Sequence, residues 1–174
     1  MATITAVPVE EYLRTYYEPD MEYVDGQLVE RHVGEYFHSW LQSLIVILLG
    51  ARSHERKFRI FTEQRVRIND EQRYRIPDIC VKALPHQATS VLVSPDLVIE
   101  VLSPDDEPGE TLERVADYVG AGIPFIWIID PYKRKIVLVE NGVIHPSTTL
   151  VIETPVVGKV DFAELFQQLD EPSE

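Results

Sequence analysis

Cysteine is almost missing from this chain: Cys80 is the one copy in 174 residues. An intrachain disulfide is therefore impossible, and so is a metal cluster built on thiolates. The five histidines are scattered, without H-E-x-x-H or H-x-H spacing, which argues against a zinc site. Glycine is sparse, with eight copies, and none of them forms a phosphate-cradling loop. No G-x-S-x-G elbow surrounds Ser103, so serine-hydrolase chemistry is not expected. The longest uncharged apolar run lies near Leu41–Gly50, far short of the ~20 residues that a membrane span needs. The opening MATITAVPVEEYL lacks a basic region and a signal-type apolar core. A cytoplasmic protein without a membrane partner is the expectation, and a lone cysteine accords with a reducing compartment.

Positive charge is also scarce. Lys and Arg total 16 against 29 Asp and Glu, a net charge of −13. Such a balance opposes non-specific nucleic-acid binding. Its distribution is uneven, however. Arg52, Arg56, Lys57, Arg59, Arg65, Arg67, Arg73 and Arg75 fall in one segment, and acids crowd Asp96–Asp117. A basic flank beside an acidic pocket suits a metal-dependent enzyme acting on a phosphate polymer; a solvated, alternating strand face is the competing explanation.

What is abundant is apolar patterning, 45% of the chain, with a length that fits one domain. The spacing predicts a short helix over Val9–Tyr16 after Pro8. A hairpin follows, with strands Met21–Val24 and Gln27–Arg31 about Asp25-Gly26. A helix is expected over Gly34–Leu49, with Phe37, Leu41, Leu44, Ile45 and Leu48 inward, His38 and Gln42 near a cleft, and Gly50 as its stop. Phe58–Ile68 alternates as one long strand or two short ones, Asn69-Asp70 turns, and Tyr74–Val81 is the next strand. Leu84–Val93 is a connection. Asp96–Leu102, nearly all Leu, Val and Ile, reads as a strand buried on both faces. Pro108–Gly120 is a helix with Leu112, Val115, Tyr118 and Val119 inward, and Phe125–Ile129 another buried strand. A second hairpin joins Lys135–Glu140 to Val143–Ile144 through Asn141-Gly142. Leu150–Glu153 and a helix capped by Asp161 close the chain, before a frayed DEPSE tail. The strand–helix–strand unit from Asp96 to Asp130 implies parallel pairing. The fold expected is mixed α/β, one domain over 1–174, with its core at about 22–141 and a C-terminal extension over 142–174.

Two carboxylates interrupt the apolar strands: Asp78 after Pro77, and Glu100 inside LVIEVL. Burying an ionised carboxylate is costly unless something pairs with it, and a metal ion is one such partner. If their strands pair antiparallel, both side chains share a face. Two carboxylates, a backbone carbonyl and waters would make an oxygen-rich site for Mg²⁺ or Mn²⁺. The alternative is that each acid faces solvent or pairs with an arginine.

The order R-x-P-D, then PDLVIEVLSP, then AGIPFIWIIDP, resembles the bacterial putative restriction endonuclease family of the PD-(D/E)xK nuclease superfamily. The likeness spans about Glu22 to Asn141 and includes the YVDGQLVE hairpin. It implies a restriction-endonuclease-like core, DNA as substrate, Mg²⁺-dependent phosphodiester cleavage, and Asp78 and Glu100 as metal ligands. It also matches Glu30 to a characteristic acidic position and His38 to a histidine near the site; a surface strand residue and a helix-edge histidine are the plain alternatives. The superfamily's lysine, two residues after the glutamate, is Leu102 here. In the resembled family the lysine usually comes from the next helix, and that position is Arg114. Arginine keeps the charge but cannot deprotonate usefully; a helix salt bridge to Glu110 is its other possible role. The expectation is a Mg²⁺-dependent DNA endonuclease, with a homodimer as a way to cut both strands. The rivals are a catalytically impaired nuclease-fold binding or interaction module, and a hydrolase of small phosphoesters.

Overall fold

The computed structural model describes residues 6–31, 34–69, 72–146 and 149–170. A short helix, α1 (Val9–Arg14), leads into the hairpin β1 (Met21–Val24) and β2 (Gln27–Glu30). At its turn Asp25 and Gly26 both take positive φ, 50° and 86°, as a type I′ turn demands. The long helix α2 (Tyr36–Arg56) follows, then β3 (Phe58–Thr62), β4 (Val66–Arg67), β5 (Arg73–Arg75), β6 (Ile79–Ala83) and β7 (Leu92–Val93). The strand β8 (Leu97–Val101), helix α3 (Pro108–Gly120) and strand β9 (Phe125–Asp130) form the crossover unit. β10 (Lys135–Glu140), β11 (Val143–Pro146), β12 (Val151–Thr154), β13 (Gly158–Asp161) and α4 (Phe162–Leu169) complete the chain.

The central sheet has six strands in the order β11-β10-β9-β8-β6-β3. β8 and β9 run parallel, and β6 runs antiparallel to both β8 and β3. Alternation along these strands sorts the core into two layers. Ile79, Val81, Leu97, Ile99, Val101, Phe125, Trp127 and Ile129 pack with α2 and α4 on one face. Cys80, Val98, Ile126 and Ile128 pack with Val115 and Tyr118 of α3 on the other. Asp78 and Glu100 have the parity of Cys80 and Val98, so they belong to the α3 face. A smaller sheet, β2-β1-β5-β4-β7, stands beside it. Fold class is therefore as the sequence implied: a mixed sheet flanked by helices.

Several boundaries differ, each for a local reason. α2 runs seven residues past Leu49, because Gly50 does not take the positive φ of a helix stop; the helix stops instead at Lys57, in the left-handed region at φ 58°. Leu49 is buried in the α2 stripe, while Phe37 and Leu48 are only partly so. The expected Tyr74–Val81 strand is two strands in different sheets, broken at Ile76-Pro77-Asp78, where proline supplies no ladder donor. Likewise Phe58–Ile68 splits into β3 and β4 across Glu63, at φ 52°. The connection before β8 contains the two-residue β7, which pairs with β4. On α3, Leu112 and Val119 are exposed rather than inward. Asp70 of the expected Asn69-Asp70 turn, residues 1–5 of the opening and residues 171–174 of the tail lie outside the described residues.

Trp127 is fully buried in β9 and meets Phe162 edge-on, with ring centroids 5.6 Å apart. Its indole N–H has no hydrogen-bond partner among the described residues. Trp127→Ala should lower stability by about 3–5 kcal/mol in denaturant unfolding. Trp127→Phe should cost less, because it also removes the unpaired donor. Equal losses would contradict this account of the core.

Candidate active site

Pro77 ends the run of the smaller sheet, and Asp78 follows it directly before β6, an inner strand of the central one. The Asp78 backbone carbonyl accepts from Gln42 Nε2 at 3.0 Å and from Glu63 N–H at 3.3 Å. Its carboxylate, on a residue 2% exposed, is fully engaged. Oδ2 accepts from the Val101 N–H at 2.7 Å, and Oδ1 accepts from Arg31 Nη2, with His38 Nε2 at 3.3 Å. Burial pushes the Asp78 carboxyl up. The His38 hydrogen bond and the Arg31 guanidinium outweigh it and hold the group at about 2.

Glu100 is reached by the β6–β8 register. Ile79 pairs with Ile99, so one step further places Glu100 opposite Asp78. Tyr118 of α3 donates its hydroxyl to Glu100 Oε1 at 2.5 Å, and Arg114 Nη1, one turn earlier, lies 3.7 Å from Oε2. Burial, and then the Asp78 charge, push the Glu100 carboxyl up to about 7, against the pull of Arg114 and Arg31. The same Arg114 nitrogen lies 3.6 Å from Oε1 of Glu22, a carboxylate with no exposure at all. Glu22 also accepts from Arg75 Nη1 at 2.8 Å and from the Ile76 N–H at 2.9 Å. Arg75 in turn binds Asp117 and Glu113 of α3, and Arg73 binds Asp117. α3 is thus tied to the N-terminal hairpin through two arginines, and that tie positions Arg114.

Asp78, Glu100, Arg114, His38 and Arg31 line one cavity of about 30 Å³, together with Ser103, Asp106 and Glu110. His38 spans it: Nε2 faces Asp78, and Nδ1 lies 3.1 Å from Ser103 Oγ. Burial disfavours the charged ring, but the hydrogen bond to Asp78 and its charge raise His38 above the usual value. Gly34 makes room for it, since a Cβ there would sit 2.6 Å from His38 Cδ2.

Four of the five sequence-chosen residues therefore meet. Glu30 does not: it is exposed on β2 and absent from the cavity lining. Its ladder partner is Met21, whereas Glu22 pairs with Val29, so period-two alternation turns Glu30 and Glu22 to opposite faces. Sequence reading missed Glu22, Arg31, Arg75 and Tyr118 as parts of the site. An acid within the MEYV strand and an arginine directly before Ile76-Pro77-Asp78 were the available signals. Arg31 had none.

The donor set suits a hard divalent cation in part. Asp78 and Glu100 supply oxygens into one cavity, where burial and the Asp78 charge disfavour the ionised form of Glu100. Among the described residues, no three of His, Cys, Asp and Glu converge as ligands. A cation here would take two carboxylates and complete its shell with water, the open arrangement usual for Mg²⁺. Arg31 would have to release Oδ1 of Asp78.

These elements compose a restriction-endonuclease-like nuclease core. The chain belongs to the family described as "Putative restriction endonuclease" (Uma2), whose profile matches residues 9–156. It is similar to a crystal structure of a putative nuclease belonging to DUF820 from Anabaena variabilis ATCC 29413, with a TM-score of 0.79 and 23% identity over 94% of this chain and 99% of that one. A chain of a cryoEM structure of a DrdV–DNA complex matches at a TM-score of 0.44 and 18% identity, over 75% of this chain and 12% of that one. No curated protein matches.

The pH dependence of stability follows from Glu100. Its folded value lies above the ordinary 4.5, so the folded state holds the proton longer and stability falls as pH rises from 4.5 to about 7. In EDTA, Glu100→Gln should therefore melt above the native protein at pH 8, with the gap closing towards pH 4.5. Divalent cation should narrow the gap at pH 8. A gap independent of pH would contradict the site's electrostatics.

Proposed function

We propose that this chain is a Mg²⁺- or Mn²⁺-dependent DNA endonuclease that hydrolyses phosphodiesters in the cytoplasm. The observation that carries the reading is the meeting of Asp78 and Glu100 on one cavity, with the Arg114 guanidinium 3.7 Å from Glu100. Asp78 and Glu100 would hold the cation, which when bound supplies charge stabilisation at the phosphate and a more acidic water.

The chain's own groups then have distinct tasks. Arg114 stays protonated: burial opposes the charge, but Glu100 and Glu22 reinforce it. It binds a non-bridging phosphate oxygen and cannot serve as a base. Glu22 holds that guanidinium in place. Tyr118 fixes the Glu100 carboxylate through its hydroxyl. His38 orients Asp78 and, through Nδ1, Ser103. Arg31 neutralises Asp78 while the site is free and turns to the phosphate when cation binds. A homodimer would bring two such sites together.

One observation favours a second reading, a nuclease-fold binding or interaction module without catalysis. Asp78 is already saturated by Arg31, His38 and the Val101 N–H. Nicking of supercoiled plasmid separates the two. The endonuclease reading expects nicking with Mg²⁺ or Mn²⁺, none in EDTA, and a loss of at least about 10²–10³-fold in Glu100→Gln, the scale of removing one preorganised charge-stabilising group. Arg114→Lys should retain or raise the rate, and Arg114→Ala should lower it. Absence of cleavage with either cation, restored by Arg114→Lys, would favour the second reading.

A further inference from the structure

Beside the cavity that holds Asp78 and Glu100 lies a larger, mainly apolar groove of about 620 Å³, walled by α3 and the outer strands of the central sheet. That volume is in the range of small-molecule pockets, roughly 300–1,000 Å³. The two spaces adjoin: Leu102, Ser103, Asp106 and Thr111 line both. Of these shared residues Leu102 is apolar, Ser103 and Thr111 carry hydroxyls, and Asp106 carries a carboxylate. The groove also collects exposed apolar side chains. Leu112 is 62% exposed, Ile144 55% and Tyr132 39%. Tyr132 is held at the rim, its ring edge-on to Phe37 at 5.7 Å and its hydroxyl 3.3 Å from Glu35 Oε2. Lys133, at the same rim, reaches solvent beside Asp130.

Half of the basic segment is engaged within the fold, and Arg56, Lys57, Arg59 and Arg67 remain exposed on it. Arg73 and Arg75 are spent on Asp117, Glu113 and Glu22, Arg65 lies over the Tyr12 ring and donates to the Thr15 carbonyl, and Arg52 donates to the Lys159 carbonyl. With a net charge of −13, backbone attraction alone is a weak source of affinity. Stacking and apolar contact with bases are the alternative source, available only where bases are unpaired. The adjoining spaces match the two ends of a nucleotide, with guanidinium groups for the phosphate and an apolar, tyrosine-edged groove for the base.

We propose that this groove is a nucleobase subsite, and that the substrate is single-stranded or locally unpaired DNA rather than intact duplex. The proposal rests on the nuclease reading for the identity of the phosphate end. An unpaired base lies in the groove against Leu112 and Ile144 and under Tyr132, and its phosphate reaches Arg114 and Arg31.

Binding without turnover tests it. Fluorescence anisotropy would be measured in Ca²⁺ with a labelled single-stranded oligonucleotide, its duplex, and the same strand carrying consecutive abasic sites. The native protein should prefer the single strand, and the abasic strand should bind about tenfold or more weakly, the scale of losing one stacked base. Tyr132→Ala and the double variant Leu112→Gln with Ile144→Thr should lose about tenfold on the single strand and nothing on the abasic strand. Melting curves matching the native protein show that the variants fold. Three outcomes overturn the proposal: duplex bound as tightly as single strand, abasic and normal strands bound alike, or the groove variants shifting a dimer to monomer, which makes the groove a self-association face. In each of these cases Glu100-dependent plasmid nicking leaves the nuclease reading standing. Binding of the single strand with the expected variant losses, but no nicking with Mg²⁺ or Mn²⁺, upholds the subsite and fails the catalytic reading instead.

Discussion

The structure depends on how three buried carboxylates are compensated. Glu22, Asp78 and Glu100 are 0%, 2% and 5% exposed, and each would be costly to ionise without a partner. Glu22 is met by Arg75, Asp78 by Arg31 and His38, and Glu100 by Tyr118 and the more distant Arg114. The compensation is graded. Asp78 is held at about 2, whereas Glu100 is pushed up to about 7 by its burial and by the facing Asp78, which the Arg114 guanidinium at 3.7 Å does not offset. Two carboxyls with opposed values in one cavity are the kind of arrangement found at reactive sites. Cys80, by contrast, is buried in the core opposite Val98, and burial together with the Glu100 charge pushes its thiol up to about 12, so it has no reactive thiolate.

Charge that is segregated along the chain becomes paired in space. The arginines that end the basic segment, Arg73 and Arg75, meet the acids of α3, Glu113 and Asp117. These contacts join the small sheet to α3 and so fix the helix that carries Arg114 and Tyr118. Removing one partner of such a buried network leaves an uncompensated charge behind. The same contacts remove arginines from the surface, and apolar side chains remain beside the cavity.

Much of this was legible in the sequence because the signals are local. Both hairpins follow from Asp25-Gly26 and Asn141-Gly142, whose first residues must take positive φ along with the glycines. The unbroken Leu, Val and Ile of β8 and β9 announce strands covered on both faces, and Pro108 opens α3 at its first position. A glutamate within β8 is conspicuous for the same reason. Contacts between distant segments were not legible. Arg31 ends a hairpin and meets Asp78 47 residues later, and Glu22 meets Arg75 53 residues later. Glu30 and Glu22 look alike in composition, and only the hairpin register tells which one turns inward. Leu112 fits the inward pattern of α3, yet the helix leaves it over an open groove.

The central claim is that Asp78 and Glu100 share one cation, and that Arg31 gives way to it. Anomalous scattering from crystals grown with Mn²⁺ tests this most directly. The account predicts one peak between the two carboxylates, with the Arg31 guanidinium moved off Asp78. A site without Mn²⁺ at millimolar concentrations, with Arg31 still bound to Asp78, would contradict it.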